Sequence, residues 1–133
     1  MPHWIRLASM LKGSAELRWS LGPDEEALRA WLPQETGVAA LPKAGFWDLA
    51  SMLRSADHVV APDTGLLHLA VVMGVPVTAL FGPSDPVVAG LPDGSGQVLR
   101  TGLACSPCRE RDCQRLQCLE DLTPDQVQNA LPF

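Results

Sequence analysis

Residues 61–70 comprise Ala61-Pro62-Asp63-Thr64-Gly65-Leu66-Leu67-His68-Leu69-Ala70, and this stretch marks a change from strand to helix. It is preceded by a short apolar segment, residues 58–61, that is typical of a strand. After it, apolar residues recur at helical spacing as far as Gly74. Asp63 and Thr64 therefore follow a predicted strand directly, at the carboxyl edge where ligands bind in open α/β sheets.

On both sides of this stretch, predicted helices and strands alternate along the chain. Helices are predicted from Pro2 to a stop at Gly13, over 24–31 with an end at Pro33, over 46–53, up to Gly74, and from Thr123 toward Leu131. Strands are predicted at 15–21, 58–61, 75–81 and 97–100, with a short apolar run at 38–41. This alternation predicts an α/β fold, a Rossmann-like parallel sheet with helices on both faces.

The order of these elements departs from the usual one. Such domains begin with a strand in the middle of the sheet, whereas this chain begins with a helix, so we expect the first strand to be missing. Either direct pairing of residues 15–21 with 58–61, or a strand from a second copy of the chain, would replace it.

Composition narrows the class of protein. The 133 residues are 47% hydrophobic, which predicts one domain with a real core. The net charge of −5, with ten Lys and Arg spread along the chain, excludes a nucleic-acid surface. The sequence shows neither the pattern of a signal peptide nor an apolar run of the ~20 residues that a membrane span needs. We therefore expect a soluble, cytoplasmic protein.

The polar residues that follow the strand at 58–61 are suited to bind an anion. Gly65 allows close approach to the backbone, the unpaired amides of a first helical turn point outward, and the Thr64 hydroxyl adds a donor. His68 lies one helical turn further on, and helical side chains lean toward the N-terminus. From spacing alone, Asp63 or Thr64 is equally well a simple helix cap, and His68 a surface or core residue.

The motif Asp63-Thr64-Gly65-x-x-His68-Leu69-Ala70, followed by Ala79-Leu80-Phe81-Gly82-Pro83-Ser84-Asp85-Pro86, resembles the signature of glycosyltransferase family 9, the ADP-heptose:lipopolysaccharide heptosyltransferases. Similar pieces flank it: Pro2-x-x-Trp4-x-x-Leu7-Ala8, Leu21-Gly22-Pro23-Asp24-Glu25, Leu41-Pro42-Lys43 and Asp48-Leu49-Ala50-x-x-Leu53-x-x-Ala56. The family has two Rossmann-like lobes, the GT-B fold. The resemblance implies that residues 1–133 are a partial C-terminal, nucleotide-sugar-binding lobe.

The resemblance also implies roles for the residues after the strand at 58–61. Asp63 would lie beside the sugar of an ADP-heptose donor, and Thr64 and Gly65 would hold its diphosphate. His68 would support the same loop.

Three more residues come under consideration through the resemblance. Glu25 would accept hydrogen bonds from the ribose hydroxyls, a task suited to a carboxylate. Glu26 is the competing choice, and either is otherwise a solvated helix acid. Ala44 falls where the family packs the adenine, and its backbone would meet the edge of the base.

Some parts of the family pattern have no counterpart in this sequence. The first strand of the lobe carries a lysine that contacts phosphate, and the N-terminal lobe carries the acceptor site and the catalytic aspartate. We therefore assign no catalytic residue and expect the isolated chain to be inactive. The implied partners are the ADP-sugar donor and the lipopolysaccharide core, bound through the missing lobe at the inner membrane. A non-catalytic nucleotide-binding remnant or a four-cysteine metal-binding module is the alternative.

The four cysteines form a Cys-rich loop within 105–118, spaced Cys105-x2-Cys108-x4-Cys113-x4-Cys118. Cytoplasmic disulfides are rare, so a structural zinc at these four residues is one hypothesis, an iron–sulfur cluster another, and free thiols a third. The second pair lacks the Cys-x-x-Cys spacing of a zinc ribbon. The run also resembles a segment of the heptosyltransferase II subgroup.

Two further sets of polar residues have simpler explanations. His3 and His58 have no partners at nucleophile or metal spacing, which predicts a structural or exposed role. Ser84 and Asp85 lie in a proline-bounded loop without a paired histidine, so a turn explains them better than catalysis.

Overall fold

The computed structural model describes residues 1–89, 91–108, 110 and 112–133. The chain divides into two compact units, residues 1–43 with 132–133, and residues 44–131. The first contains helices α1 (Pro2–Leu11) and α2 (Glu26–Thr36), the latter preceded by a 3-10 turn at Pro23–Glu25. The second contains α3 (Phe46–Arg54), β1 (Val59–Pro62), α4 (Gly65–Val72), β2 (Val77–Phe81), α5 (Pro86–Ala89), β3 (Gly96–Arg100), α6 (Gln117–Glu120) and α7 (Pro124–Asn129).

In the first unit, α1 confirms the helix predicted to begin at Pro2 and to stop at Gly13. Proline is favoured in the first turn of a helix, because the backbone N–H groups there have no intrahelical acceptor and the absence of one costs nothing. Leu7, Ala8 and Leu11 lie on one side of α1 and are buried, and α1 packs against α2. Helical spacing of apolar residues thus predicted the correct element.

The strand predicted at 15–21 is wrong. Only isolated parallel bridges form there, of which the longer-range one joins Trp19 and Ala40. The Trp19 N–H donates to Ala39 O, and the Leu41 N–H donates to Trp19 O. Beyond these two bonds, the guanidinium of Arg29 donates to the carbonyls of both Leu41 and Leu21. Side-chain donors therefore occupy the groups that a continued strand would use.

The helix end predicted at Pro33 is also wrong, because α2 continues through this proline to Thr36. Proline removes one backbone donor from the ladder, and a position in the last turn leaves little helix beyond it to destabilise. Gly37 then ends the helix with a left-handed φ of 66°, and its N–H donates to Pro33 O at 2.9 Å. Glycine tolerates that conformation without a Cβ penalty, so it sets the end of the helix.

The second unit confirms the predicted α/β fold with a parallel sheet. Its three strands lie in the order β1-β2-β3, both pairs are parallel, and helices flank the sheet. Strand β2 lies in the middle and is buried along its whole length, as its continuous apolar run predicts. Fully buried side chains of Leu67, Ala70, Val77 and Phe81 form the centre of the core. Among the described residues, β1 pairs with β2 alone.

Near the C-terminus, α7 begins with the capping box predicted from sequence. Thr123 Oγ1 accepts a hydrogen bond from the Gln126 N–H, and the Thr123 N–H donates to Gln126 Oε1 at 2.8 Å. The short helix α6 was not predicted, because its four residues are too few for a periodic pattern. No helix in the described part of the chain is long and apolar enough to cross a membrane.

His58 links the first two strands and predicts how stability depends on pH. Its Nε2 lies 2.8 Å from Oγ1 of Thr78, which is fully buried in β2. Burial lowers the pKa of His58, so the folded state favours the neutral ring. This contribution to stability is present above the unfolded pKa of about 6.5 and is lost as the pH falls below it. We expect the urea midpoint to drop between pH 7.5 and pH 5.5.

His58→Gln is the matched control, because glutamine keeps a polar group near Thr78 but does not titrate. Its urea midpoint should change less over the same pH interval. An identical drop in both proteins would contradict a role for His58 in this pH dependence.

Candidate functional site

The segment from Asp63 to His68, called here the 63–68 loop, joins β1 to the first turn of α4. Thr64 occupies the N-cap position in an extended conformation, with φ −143° and ψ 166°. Its hydroxyl donates to Pro62 O at 3.2 Å and makes no capping hydrogen bond. The amides of the first turn of α4 are therefore left for solvent or a ligand, and the helix dipole gives them a partial positive charge.

His68 and Asp63 are in direct contact. His68 Nε2 lies 2.9 Å from Asp63 Oδ1, and the two side chains are 41% and 27% exposed. The convergence predicted from helical geometry is present, because a side chain in the first turn leans back toward the loop. The Asp63 carboxylate therefore orients the His68 imidazole within the 63–68 loop.

Gly65 leaves open space in front of α4. A Cβ built at this position would meet no atom within 4 Å, and the backbone here does not require glycine, since its φ is not positive. Packing in the described structure thus gives no reason for a glycine. The residue type fits a site where another molecule approaches the backbone closely.

A cavity of about 590 Å³ lies at the carboxyl ends of β1 and β2. Its polar lining includes Asp63, Ser84, Asp85 and Glu110, and its apolar lining includes Val88 and Leu116. Apart from Asp63, none of these residues was assigned to a site from sequence, and Ser84 and Asp85 were attributed to a turn. Ser84 and Asp85 could have been found, because they follow β2 just as Asp63 follows β1, and parallel strands end at one edge.

The sequence-predicted residues outside the 63–68 loop lie in different places. Glu25 belongs to the first unit, is exposed, and accepts a hydrogen bond on Oε2 from the Gly22 N–H at 2.7 Å. Glu26 forms ion pairs with Arg29 at 3.5 Å and with Lys43 at 3.9 Å.

Ala44 belongs to the second unit, as does the 63–68 loop. It is half-buried and lies directly before Gly45, the N-cap residue of α3.

The four cysteines are free thiols, and only Cys118 is buried. In the ranges that the structure describes, no three His, Cys, Asp or Glu side chains group to hold a metal ion. The hypothesis of a zinc-binding module therefore gains no support. Burial, and then the nearby thiols Cys108, Cys105 and Cys113, raise the pKa of Cys118, which suits a packing residue better than a nucleophile.

Comparisons with known proteins agree with one another. The family model for glycosyltransferase family 9 (heptosyltransferase) matches residues 2–119. A lipopolysaccharide heptosyltransferase 1 from Pseudomonas aeruginosa is 32% identical over 122 residues, 90% of this chain and 34% of its own length. A lipooligosaccharide heptosyltransferase 2 from Haemophilus influenzae is 33% identical over 92 residues, 63% of this chain and 27% of its own length.

Two solved structures have the same fold. The Escherichia coli heptosyltransferase WaaC with ADP superimposes with a TM-score of 0.76 at 29% identity, over 96% of this chain and 37% of that one. A glycosyltransferase family 9 structure from Veillonella parvula gives 0.77 at 20% identity, over 97% and 39%. The chain spans about a third, 34%, of the length of the Pseudomonas aeruginosa relative.

Proposed function

Because the chain belongs to glycosyltransferase family 9, the heptosyltransferases, we propose that its 63–68 loop binds the diphosphate of an ADP-sugar donor. Thr64 and Gly65 hold the diphosphate, and Asp63 lies beside the sugar. His68 supports the loop through its contact with Asp63. The choice of ADP is supported by WaaC, which was solved with this nucleotide.

The observation that carries the proposal is the open first turn of α4. Its amides have no side-chain cap, Gly65 leaves the space before them empty, and the turn lies at the carboxyl edge of a parallel sheet. Backbone amides at a helix N-terminus bind phosphate through hydrogen bonds and the helix dipole together. A turn built only to begin a helix would gain from a capping side chain here.

By the same family resemblance, we propose roles for two residues outside the 63–68 loop. Glu25 accepts hydrogen bonds from the ribose hydroxyls, and the backbone of Ala44 meets the adenine. We choose Glu25 for the ribose because it lies in the family-like motif Leu21-Gly22-Pro23-Asp24-Glu25, and Glu26 remains the competing choice.

For the whole protein we extend the proposal to transfer of heptose from ADP-heptose to the inner core of lipopolysaccharide, at the cytoplasmic face of the inner membrane. Such a transfer needs a base beside the acceptor hydroxyl and electrostatic stabilisation of the departing diphosphate. The residues assigned here supply part of the second requirement. The isolated chain is therefore expected to bind donor without turnover, and sugar transfer by this chain alone would contradict that expectation.

Replacing Asp63 with alanine should weaken ADP binding about fivefold, because His68 loses the carboxylate that orients it, and a typical hydrogen bond contributes about 1 kcal/mol. Isothermal titration with ADP measures the change.

A double-mutant cycle is the control for this prediction. If Asp63 and His68 act as one unit, then the Asp63→Ala/His68→Ala double variant should bind ADP about as weakly as either single variant. Additive losses would show that the two residues act separately, and unchanged binding in all three variants would remove both from the site.

A further inference from the structure

We infer that Asp85 and Glu110 bind hydroxyl groups of the donor's sugar, and that contacts of Ser106 and Cys108 with the end of β2 help to position Glu110. The inference rests on the proposed function, because it takes the diphosphate to lie at the first turn of α4. It concerns the specificity of the same site and assigns these two residues no part in bond breaking.

The position of the cavity supports a sugar as its occupant. Asp63, the first residue of the 63–68 loop, lines the cavity, together with Asp85 and Glu110. A sugar joined to a diphosphate at α4 would enter this space. Its volume of about 590 Å³ is within the range of roughly 300–1,000 Å³ typical of small-molecule sites.

The chemistry of the lining suits a sugar. Carboxylates accept hydrogen bonds from pairs of hydroxyl groups, and Val88 and Leu116 offer apolar surface to the C–H face of a ring. One oxygen of each carboxylate is fixed by a backbone amide. Asp85 Oδ1 accepts from the Val87 N–H at 3.0 Å, and Glu110 Oε1 accepts from the Asp112 N–H at 3.2 Å.

Three described residues of the Cys-rich segment 105–118 contact the ends of β2 and β3. Ser106 Oγ donates to Gly82 O at 2.6 Å, and the Cys108 N–H donates to Pro83 O at 2.9 Å. Near its other end, Thr101 Oγ1 donates to Cys118 O at 3.1 Å. Cys118 is buried, and a Cβ added to Gly82 would come within 3.1 Å of its Sγ.

Glu110 lies between these attachments in the sequence. The contacts of Ser106 and Cys108 therefore help to position Glu110 as one sugar-binding carboxylate.

The test compares ADP with ADP-heptose by isothermal titration of the full chain. Asp85→Asn and Glu110→Gln keep an oxygen for the backbone amides but remove the charge. We expect each variant to weaken ADP-heptose binding about tenfold, the loss that follows from weakening one hydrogen bond to a charged group, and to leave ADP binding within about twofold. Glu120→Gln, an exposed acid on α6, is the control for the change in net charge and should alter neither affinity.

Circular dichroism and urea midpoints must first show that the variants are folded. Each outcome of the titrations then supports or overturns the sugar pocket. A selective loss of ADP-heptose affinity supports the sugar pocket. Equal losses for both ligands, or no loss for either, overturn the sugar pocket and leave the diphosphate site standing. If the wild-type chain binds neither ligand, the proposed function and this inference both fail.

Discussion

Replacing Gly65 with valine is expected to weaken ADP binding by at least about a hundredfold, or about 2.7 kcal/mol. Helical Cβ atoms tilt toward the N-terminus, so the new side chain enters the space before the first turn of α4. That space is empty, since a Cβ at Gly65 would meet no atom within 4 Å. The free energy of unfolding should change by less than about 1 kcal/mol, because helix propensity is the only term that differs appreciably.

Gly102→Val is the matched control for this prediction. Gly102 is exposed, a Cβ there would also meet nothing within 4 Å, and its φ is not positive. The control variant should bind ADP like the wild type. Calorimetric titration gives the affinities, and urea denaturation gives the stabilities. If Gly65→Val bound ADP as tightly as the wild type, the first turn of α4 would not be the phosphate site.

Replacing Phe81 with alanine is expected to lower the free energy of unfolding by about 3–5 kcal/mol, the usual cost of removing a buried phenylalanine. Phe81 is completely buried, ends the central strand β2, and pairs with Arg100 of β3. A small domain has only about 5–15 kcal/mol of stability in total, so this variant should be close to unfolding at ambient temperature.

Phe81→Leu provides a graded comparison, because leucine fills much of the same volume and should cost clearly less. Urea denaturation followed by circular dichroism measures both variants. A loss below about 1 kcal/mol for the alanine variant would contradict the position of Phe81 in the core.

Regular periodicity accounts for the parts of the fold that sequence predicted. The pattern of apolar residues gave α1, α3, α4 and the three strands of the sheet. It failed where side chains compete with the backbone. Residues 15–21 alternate like a strand, yet Arg29 donates to the carbonyls that would extend the ladder, and the alternation does not reveal a donor from the next helix, α2.

The same contrast between local and long-range contacts explains which parts of the candidate site could be predicted from sequence. Asp63 and His68 are neighbours in sequence, and helix geometry alone brings them together. Glu110 follows Ser106 and Cys108 in sequence, and these two residues donate hydrogen bonds to Gly82 and Pro83, directly after β2. Such long-range contacts leave no periodic signal, so this wall of the cavity required the structure.

Isothermal titration of the wild-type chain with ADP decides whether the 63–68 loop is a diphosphate site. We expect saturable binding of one ADP per chain with a Kd below about 1 mM, a binding free energy of about −4 kcal/mol or stronger. Absence of binding at millimolar ADP, in a chain shown to be folded, would contradict this proposal.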